Sequence, residues 1–181
     1  MKEGQLHLYI GEGKGKTTAA VGLAVRAAGW GKHVVFVQFL KGQHTGELPS
    51  LKKLGVRIVR SEKDFGFIHE MDDGQVETFR AEQIRLFCEL KQFAAPPSEA
   101  LGFVPADMLV LDEALDAISA GLLDEEELKI FVAENLSRME LVFTGRDAPG
   151  WLKEKAGYIT EMRKIRHPYD NGQEARQAVE Y

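Results

Sequence analysis

The sequence predicts an α/β domain: a largely parallel sheet with helices on both faces. Three observations predict it. Short apolar runs alternate with segments of helical periodicity along most of the chain, which implies crossovers between parallel strands. The first apolar run feeds a glycine-rich turn that opens straight into an Ala-rich helical pattern. A later run, Met108-Leu109-Val110-Leu111-Asp112-Glu113, closes on two acids.

From the amino end, residues 6–10 read as a strand and 17–28 as a helix rich in Ala, Val and Leu, whose small residues let it lie close on a sheet. Gly29-Trp30-Gly31 ends that helix. The continuous apolar run over 33–39 is typical of a strand buried on both faces. A short helix is expected over 47–54 and a strand at Val56-Arg57-Ile58-Val59. Residues 61–74 show no periodicity and are expected to be irregular. Val76, Phe79, Phe87 and Leu90 then recur at helical spacing, and Pro96-Pro97 breaks the pattern, so 94–105 is expected as a surface connection. After the strand at 108–113, Asp124 starts a helix with Glu125, Glu126 and Glu127 in its first turn, where negative charge suits the dipole. Strands at 141–144 and 158–162 flank a short helix over 149–155.

Composition sets outer bounds. At 181 residues the chain is expected to form one domain, residues 1–181, large enough for a core without staples. The formal net charge of −5 argues against broad binding to DNA or RNA. Arg163, Lys164, Arg166 and His167 make one basic patch, read as a solvated tail. Cys88 is the sole cysteine, which excludes an internal disulfide and a cysteine-built zinc site. No secretory signal and no apolar run of membrane-spanning length are evident, so a cytoplasmic protein with no membrane partner is expected.

The chemistry collects at the carboxyl ends of the strands, where open α/β sheets bind ligands. Gly11-Glu12-Gly13-Lys14-Gly15-Lys16-Thr17-Thr18 lies between strand and helix, the context a phosphate-binding P-loop requires. Glycines let backbone N–H groups converge on phosphate oxygens, and the helix N-terminus adds a favourable dipole. Lys16 supplies positive charge to the outer phosphates and Thr17 a hydroxyl to a magnesium ion. The strict P-loop pattern puts glycine at position 10, where this chain has Ile10, so the loop is a variant. A nucleoside triphosphate is the expected ligand. Asp112 and Glu113 form the acidic pair of a Walker B strand, one carboxylate holding Mg2+ directly or through water; a helix cap is the other reading of Asp112. Gln38 and Lys41 follow the second strand, and Thr144-Gly145-Arg146 a later one. Arg146 is placed either to reach a terminal phosphate or to pair with Asp147 at the surface. Lys14 is a second phosphate ligand or a solvent-facing lysine. Phe65 and Phe67 either anchor their loop in the core or meet a flat apolar ligand. His69, Glu70, Asp72 and Asp73 match no firm metal-ligand spacing.

In order along the chain, these segments resemble the P-loop type of ATP:corrinoid adenosyltransferases. The resemblance rests on 11–20, on Val37-Gln38-Phe39-Leu40-Lys41-Gly42, on Val110-Leu111-Asp112-Glu113, on Thr144-Gly145-Arg146, and on the ending from His167-Pro168-Tyr169 to Tyr181. It covers nearly the whole chain, and the P-loop without its first glycine is itself a family feature. The resemblance implies a RecA-like P-loop NTPase fold and a homodimer. It implies transfer of the 5′-deoxyadenosyl group of ATP to cobalt(I) of a reduced corrinoid such as cobalamin, with tripolyphosphate leaving, in adenosylcobalamin biosynthesis or salvage. ATP would lie in reversed sense, its γ-phosphate where other P-loops hold the α-phosphate. An external electron donor would reduce the cobalt.

Cobalt(I) needs no enzymic base, so the protein's tasks are alignment and neutralisation of the leaving triphosphate. Backbone amides of Gly13 and Gly15, Lys16, and magnesium on Thr17 and Glu113 are expected to do the second, with Arg146 adding to it. By position, Phe65-Gly66-Phe67 matches an aromatic segment with which the family holds the corrinoid. A tryptophan common just beyond it is replaced here by Ile68 and His69, and few residues precede the first strand to cover the site. The rival reading is a P-loop kinase or ATPase, which would cleave the γ-phosphate instead. A non-catalytic nucleotide-binding regulator is a further alternative.

Overall fold

The computed structural model describes residues 4–66, 68–95 and 104–179. Six strands form one sheet: β1 (Leu6–Ile10), β2 (Val34–Gln38), β3 (Arg57–Arg60), β4 (Met108–Asp112), β5 (Glu140–Thr144) and β6 (Tyr158–Glu161). Their order is β3-β2-β4-β5-β1-β6, and every neighbouring pair is parallel. The helices are α1 (Lys16–Gly29), α2 (Glu47–Lys53), α3 (Asp73–Ala94), α4 (Ala114–Ser119), α5 (Glu125–Asn135) and α6 (Gly150–Lys155).

Strand alternation splits the core into two layers. Leu6, Leu8 and Ile10 of β1, Leu109 and Leu111 of β4, and Leu141 and Phe143 of β5 face α3, α4, α5 and α6. Val34 and Phe36 of β2 join Met108, Val110 and Val142 on the other face, with Ala20 and Ala24 of α1 and Leu51 of α2. Ala20 and Ala24, one turn apart and fully buried, are the small residues that bring α1 close to the strands. β2 and β4 are buried at every position, as their unbroken apolar runs require. β6 lies at the sheet edge with all four residues exposed.

Caps define the helix starts. Asp124 accepts from Glu127 N at 2.8 Å, as its place before three glutamates leads one to expect. Asp72 and Gln75 form a reciprocal capping box that starts the 22-residue α3 inside the stretch expected to be irregular. Ile68–Glu70 adds a turn of 3-10 helix there. Pro96-Pro97 lies outside the described residues, immediately beyond the last helical residues of α3.

Candidate functional site

The carboxyl ends of β1, β2, β4 and β5 converge on one place. The loop between β1 and α1 is tightly held. Gly11 N donates to Arg146 O at 2.8 Å and Gly13 N to Met162 O at 2.6 Å. Gly11 has φ 110°, and a Cβ built on either Gly11 or Gly13 would run into the Met162 carbonyl, at 2.5 and 2.6 Å. Glycine is therefore required at both positions. The Gly13 amide, expected on a phosphate, is instead bonded to the segment that follows β6. Gly15, at φ 118°, leads into α1 with no side-chain cap, so the helix N-terminus is the anion-binding element this loop offers.

Lys16 Nζ donates to Gly11 O and Gly13 O at 2.7 and 2.9 Å. An incoming triphosphate would exchange those carbonyls for phosphate oxygens, a stronger charge-assisted contact. Lys14 and Glu12 are exposed, and Thr18 is exposed on the first turn of α1.

Asp112 is the centre of the site. Its carboxylate is fully buried and accepts from three partners: Thr17 Oγ1 on Oδ1 at 2.8 Å, Thr144 Oγ1 on the same oxygen at 2.8 Å, and Lys41 Nζ on Oδ2 at 2.9 Å. The cap reading of Asp112 does not hold. Glu113 occupies the N-cap of α4, with no side-chain cap bond and a left-handed backbone at φ 61°. Its own amide donates to Thr144 Oγ1 at 2.8 Å. Lys41 bridges to Glu113 Oε1 at 3.1 Å.

The electrostatics follow. Burial pushes the Glu113 carboxyl up, against the pull of Lys41. Burial would lower the Lys41 ammonium, but Asp112 and Glu113 outweigh it and hold Lys41 above the usual lysine range. A buried carboxylate without such partners would be costly. Gln38, fully buried at the end of β2, donates to Glu47 at 2.8 Å and accepts from Arg60 at 3.2 Å, which also reaches Gln43 O.

Thr17, Asp112 and Glu113 supply hard oxygen donors, the set magnesium takes beside phosphate and water. Among the described residues no three His, Cys, Asp or Glu side chains form a metal cluster, so phosphate oxygens would have to complete the sphere. Arg146 is exposed at the rim, its amide on Asp116 at 3.3 Å, while Asp147 pairs with Lys153 rather than with it. Phe65 is half-buried and its ring sits 4.8 Å from that of Phe79, which attaches its loop to the core. Phe67 lies outside the described residues. Sequence reasoning singles out Lys41 by position but misses its partners, and it misses Thr144 as the residue joining both acids.

A parallel sheet with a glycine loop entering a helix beside an acid-tipped strand defines a protein of P-loop NTPase fold. The EssC protein (ATPases 2 and 3) of Geobacillus thermodenitrificans shares that fold with a TM-score of 0.50 at 17% identity, over 97% of this chain and 35% of that one. The family described as ATP:corrinoid adenosyltransferase BtuR/CobO/CobP matches residues 2–181, and the chain belongs to it. Corrinoid adenosyltransferase CobA of Salmonella typhimurium is 31% identical over 99% of this chain and 87% of its own length. The corrinoid adenosyltransferases of Escherichia coli and Pseudomonas aeruginosa are each 30% identical, over 99% of this chain and 87% and 85% of theirs. The family is one of transferases.

Proposed function

We propose that this chain transfers the 5′-deoxyadenosyl group of ATP to cobalt(I) of a reduced corrinoid and releases tripolyphosphate. The observation that supports it most is the Thr17–Asp112–Thr144–Lys41 cluster beside the uncapped N-terminus of α1, within a chain that aligns with corrinoid adenosyltransferases along nearly its full length. In the step, the cobalt(I) electron pair forms the Co–C5′ bond. The C5′–O bond breaks, and its pair leaves on the bridging oxygen of tripolyphosphate, so cobalt ends formally as cobalt(III).

The chain's residues do three things in this reading. The α1 N-terminus, Lys16 and Arg146 bind the triphosphate and take up the charge that gathers on it. Thr17, Asp112 and Glu113 hold magnesium, which supplies Lewis-acid neutralisation of the phosphates when bound. The Phe65 segment meets the corrinoid and keeps water from its face. No side chain need accept a proton, because cobalt(I) is already the nucleophile.

The wider reading is a single adenosyltransferase domain acting as a cytoplasmic homodimer, supplied with cobalt(I) by a separate electron donor, in adenosylcobalamin biosynthesis or salvage. Among the described residues no helix is long and apolar enough to cross a membrane. The test is the product. Incubated with ATP, magnesium and chemically reduced cobalamin, the protein should make a photolabile cobalt–carbon bond and one tripolyphosphate per bond. ADP formed at a steady rate without cobalt would establish the kinase or ATPase reading instead.

A further inference from the structure

The turn that carries Lys41 is held by a residue far from it in sequence. Leu40 leaves β2 in the left-handed region at φ 59°, a conformation that glycine and asparagine adopt readily and leucine does not. Two hydrogen bonds hold it there. Phe39 N donates to Asp112 O at 3.0 Å, and Leu40 N donates to Gln83 Oε1 at 3.0 Å. Gln83 is 1% exposed, on a face of α3 otherwise made of Phe79, Leu86, Phe87 and Leu90. A carboxamide buried among such side chains is unfavourable unless it is bonded. Here its oxygen serves the turn.

The chain bends at this left-handed residue, and Lys41 pairs with Asp112 and Glu113. On the far side of the turn, Gly42 lies so close to the Lys63 carbonyl and Asp64 Cα that a Cβ would overlap both. The same helix anchors that second loop. Phe79 sits against Phe65, their rings 4.8 Å apart. One stretch of α3 thus fixes both the Lys41 turn and the aromatic segment.

We propose that Gln83 is a positioning residue for adenosyl transfer, acting through the left-handed Leu40 to keep Lys41 on the Asp112–Glu113 pair beside the nucleotide. The proposal rests on the adenosyltransferase reading. Lys41 is the cation that keeps two adjacent carboxylates from repelling each other in a buried place, and releasing its turn would let both drift from the triphosphate.

The test compares Gln83→Met, which removes the acceptor at similar length, with the double variant Gln83→Met/Leu40→Gly. Kinetics use ATP, magnesium and chemically reduced cobalamin, with amide hydrogen exchange followed over residues 39–42. Gln83→Met should lower kcat about tenfold while KM for ATP moves less than about threefold, the pattern expected when a positioning group is removed. Exchange at Leu40 should rise about tenfold or more. Adding Leu40→Gly should restore kcat, because glycine holds a positive φ without the clamp; a packing role for Gln83 would not be rescued in this way.

Unchanged kcat and exchange in Gln83→Met, or failure of the rescue, overturns the proposal. If Gln83→Met does not fold, Leu40→Val serves the same purpose with Gln83 intact, since a β-branched residue resists the left-handed region; wild-type kcat there overturns it equally. If the wild-type chain makes no adenosylcorrinoid, the adenosyltransferase reading falls and the role in transfer with it. The exchange rates then judge the clamp on Leu40 alone.

Discussion

Thr17 Oγ1 donates to Asp112 Oδ1 across 2.8 Å, joining the first turn of α1 to the tip of β4 over 95 residues of sequence. Both groups belong to the proposed magnesium site, where the bond would present two metal ligands side by side. Thr17→Val should lower adenosylation at least about 100-fold by removing a ligand whose contribution is made in the transition state. Thr17→Ser keeps the hydroxyl and should retain most activity. Stability should fall by only about 1 kcal/mol in the valine variant, because Thr144 and Lys41 still serve Asp112. Urea denaturation alongside steady-state rates checks both halves.

Thr144 is the more structural partner. Its hydroxyl donates to Asp112 and accepts from Glu113 N, both at 2.8 Å, and the residue is fully buried. Thr144→Val keeps the shape and strands an acceptor and a donor together. A loss of about 2–4 kcal/mol in urea unfolding is expected, larger than for Thr17→Val. Equal losses at the two positions would show that Thr144 is not the buried hinge of the pair.

Lys16 is the side chain proposed to bind the phosphates, and in the structure it donates to carbonyls of its own loop. Lys16→Ala should abolish ATP-dependent adenosylation and leave the fold intact, at a cost of about 1–3 kcal/mol in urea unfolding because the carbonyls of the buried Gly11 and Gly13 lose a charged donor. Full activity in that variant would remove the loop from the mechanism.

How far the site is legible in sequence depends on which interactions are local. β1, the glycine loop and α1 are consecutive, and glycine at 11 and 15 announces positive φ. β4 announces itself through an apolar run closed by acids. The partners of Asp112 are different in kind. Lys41 reaches it only because β2 lies beside β4, and strand order is not written in local periodicity. Gln83 reads as an ordinary polar residue of an amphipathic helix, since nothing nearby in sequence announces Leu40 as its partner. The Gly13 amide looks free for phosphate because Met162, its acceptor, follows β6, which lies beside β1 in the sheet but near the other end of the sequence. The Asp72 capping box is present as Asp-x-x-Gln, but the irregular run before it hides the start of α3.

Asp107 gives the fold a pH dependence away from the site. Its carboxylate accepts from His33 N at 2.8 Å and pairs with Lys32 at 2.9 Å, joining the starts of β2 and β4. Burial works against the charge, but Lys32 and the His33 amide outweigh it and hold the carboxyl below the usual range. A depressed carboxyl contributes stability that is present above its unfolded pKa of about 3.9 and is lost as pH falls through the folded value. Asp107→Asn should therefore cost most near pH 7, by less than about 1 kcal/mol for so exposed a pair. The gap from wild type should close in urea titrations taken below about pH 3. A gap independent of pH would assign the effect to geometry rather than charge.

Phe65 offers a way to test the proposed corrinoid contact apart from ATP binding. Its ring lies 4.8 Å from that of Phe79 and packs on the core, yet the loop it belongs to touches the Lys41 turn through Gly42 and the Lys63 carbonyl. If that loop meets the corrinoid, Phe65→Ala should weaken cobalamin binding about tenfold or more, the scale expected when an aromatic ring no longer covers a flat apolar ligand. ATP binding should change less than about twofold, because no phosphate ligand lies on that loop. A modest fall in melting temperature accompanies either outcome, since alanine cannot reach the Phe79 ring in either case. Equilibrium binding of each ligand, measured separately, therefore decides: equal losses for the two would make Phe65 a core anchor and nothing more.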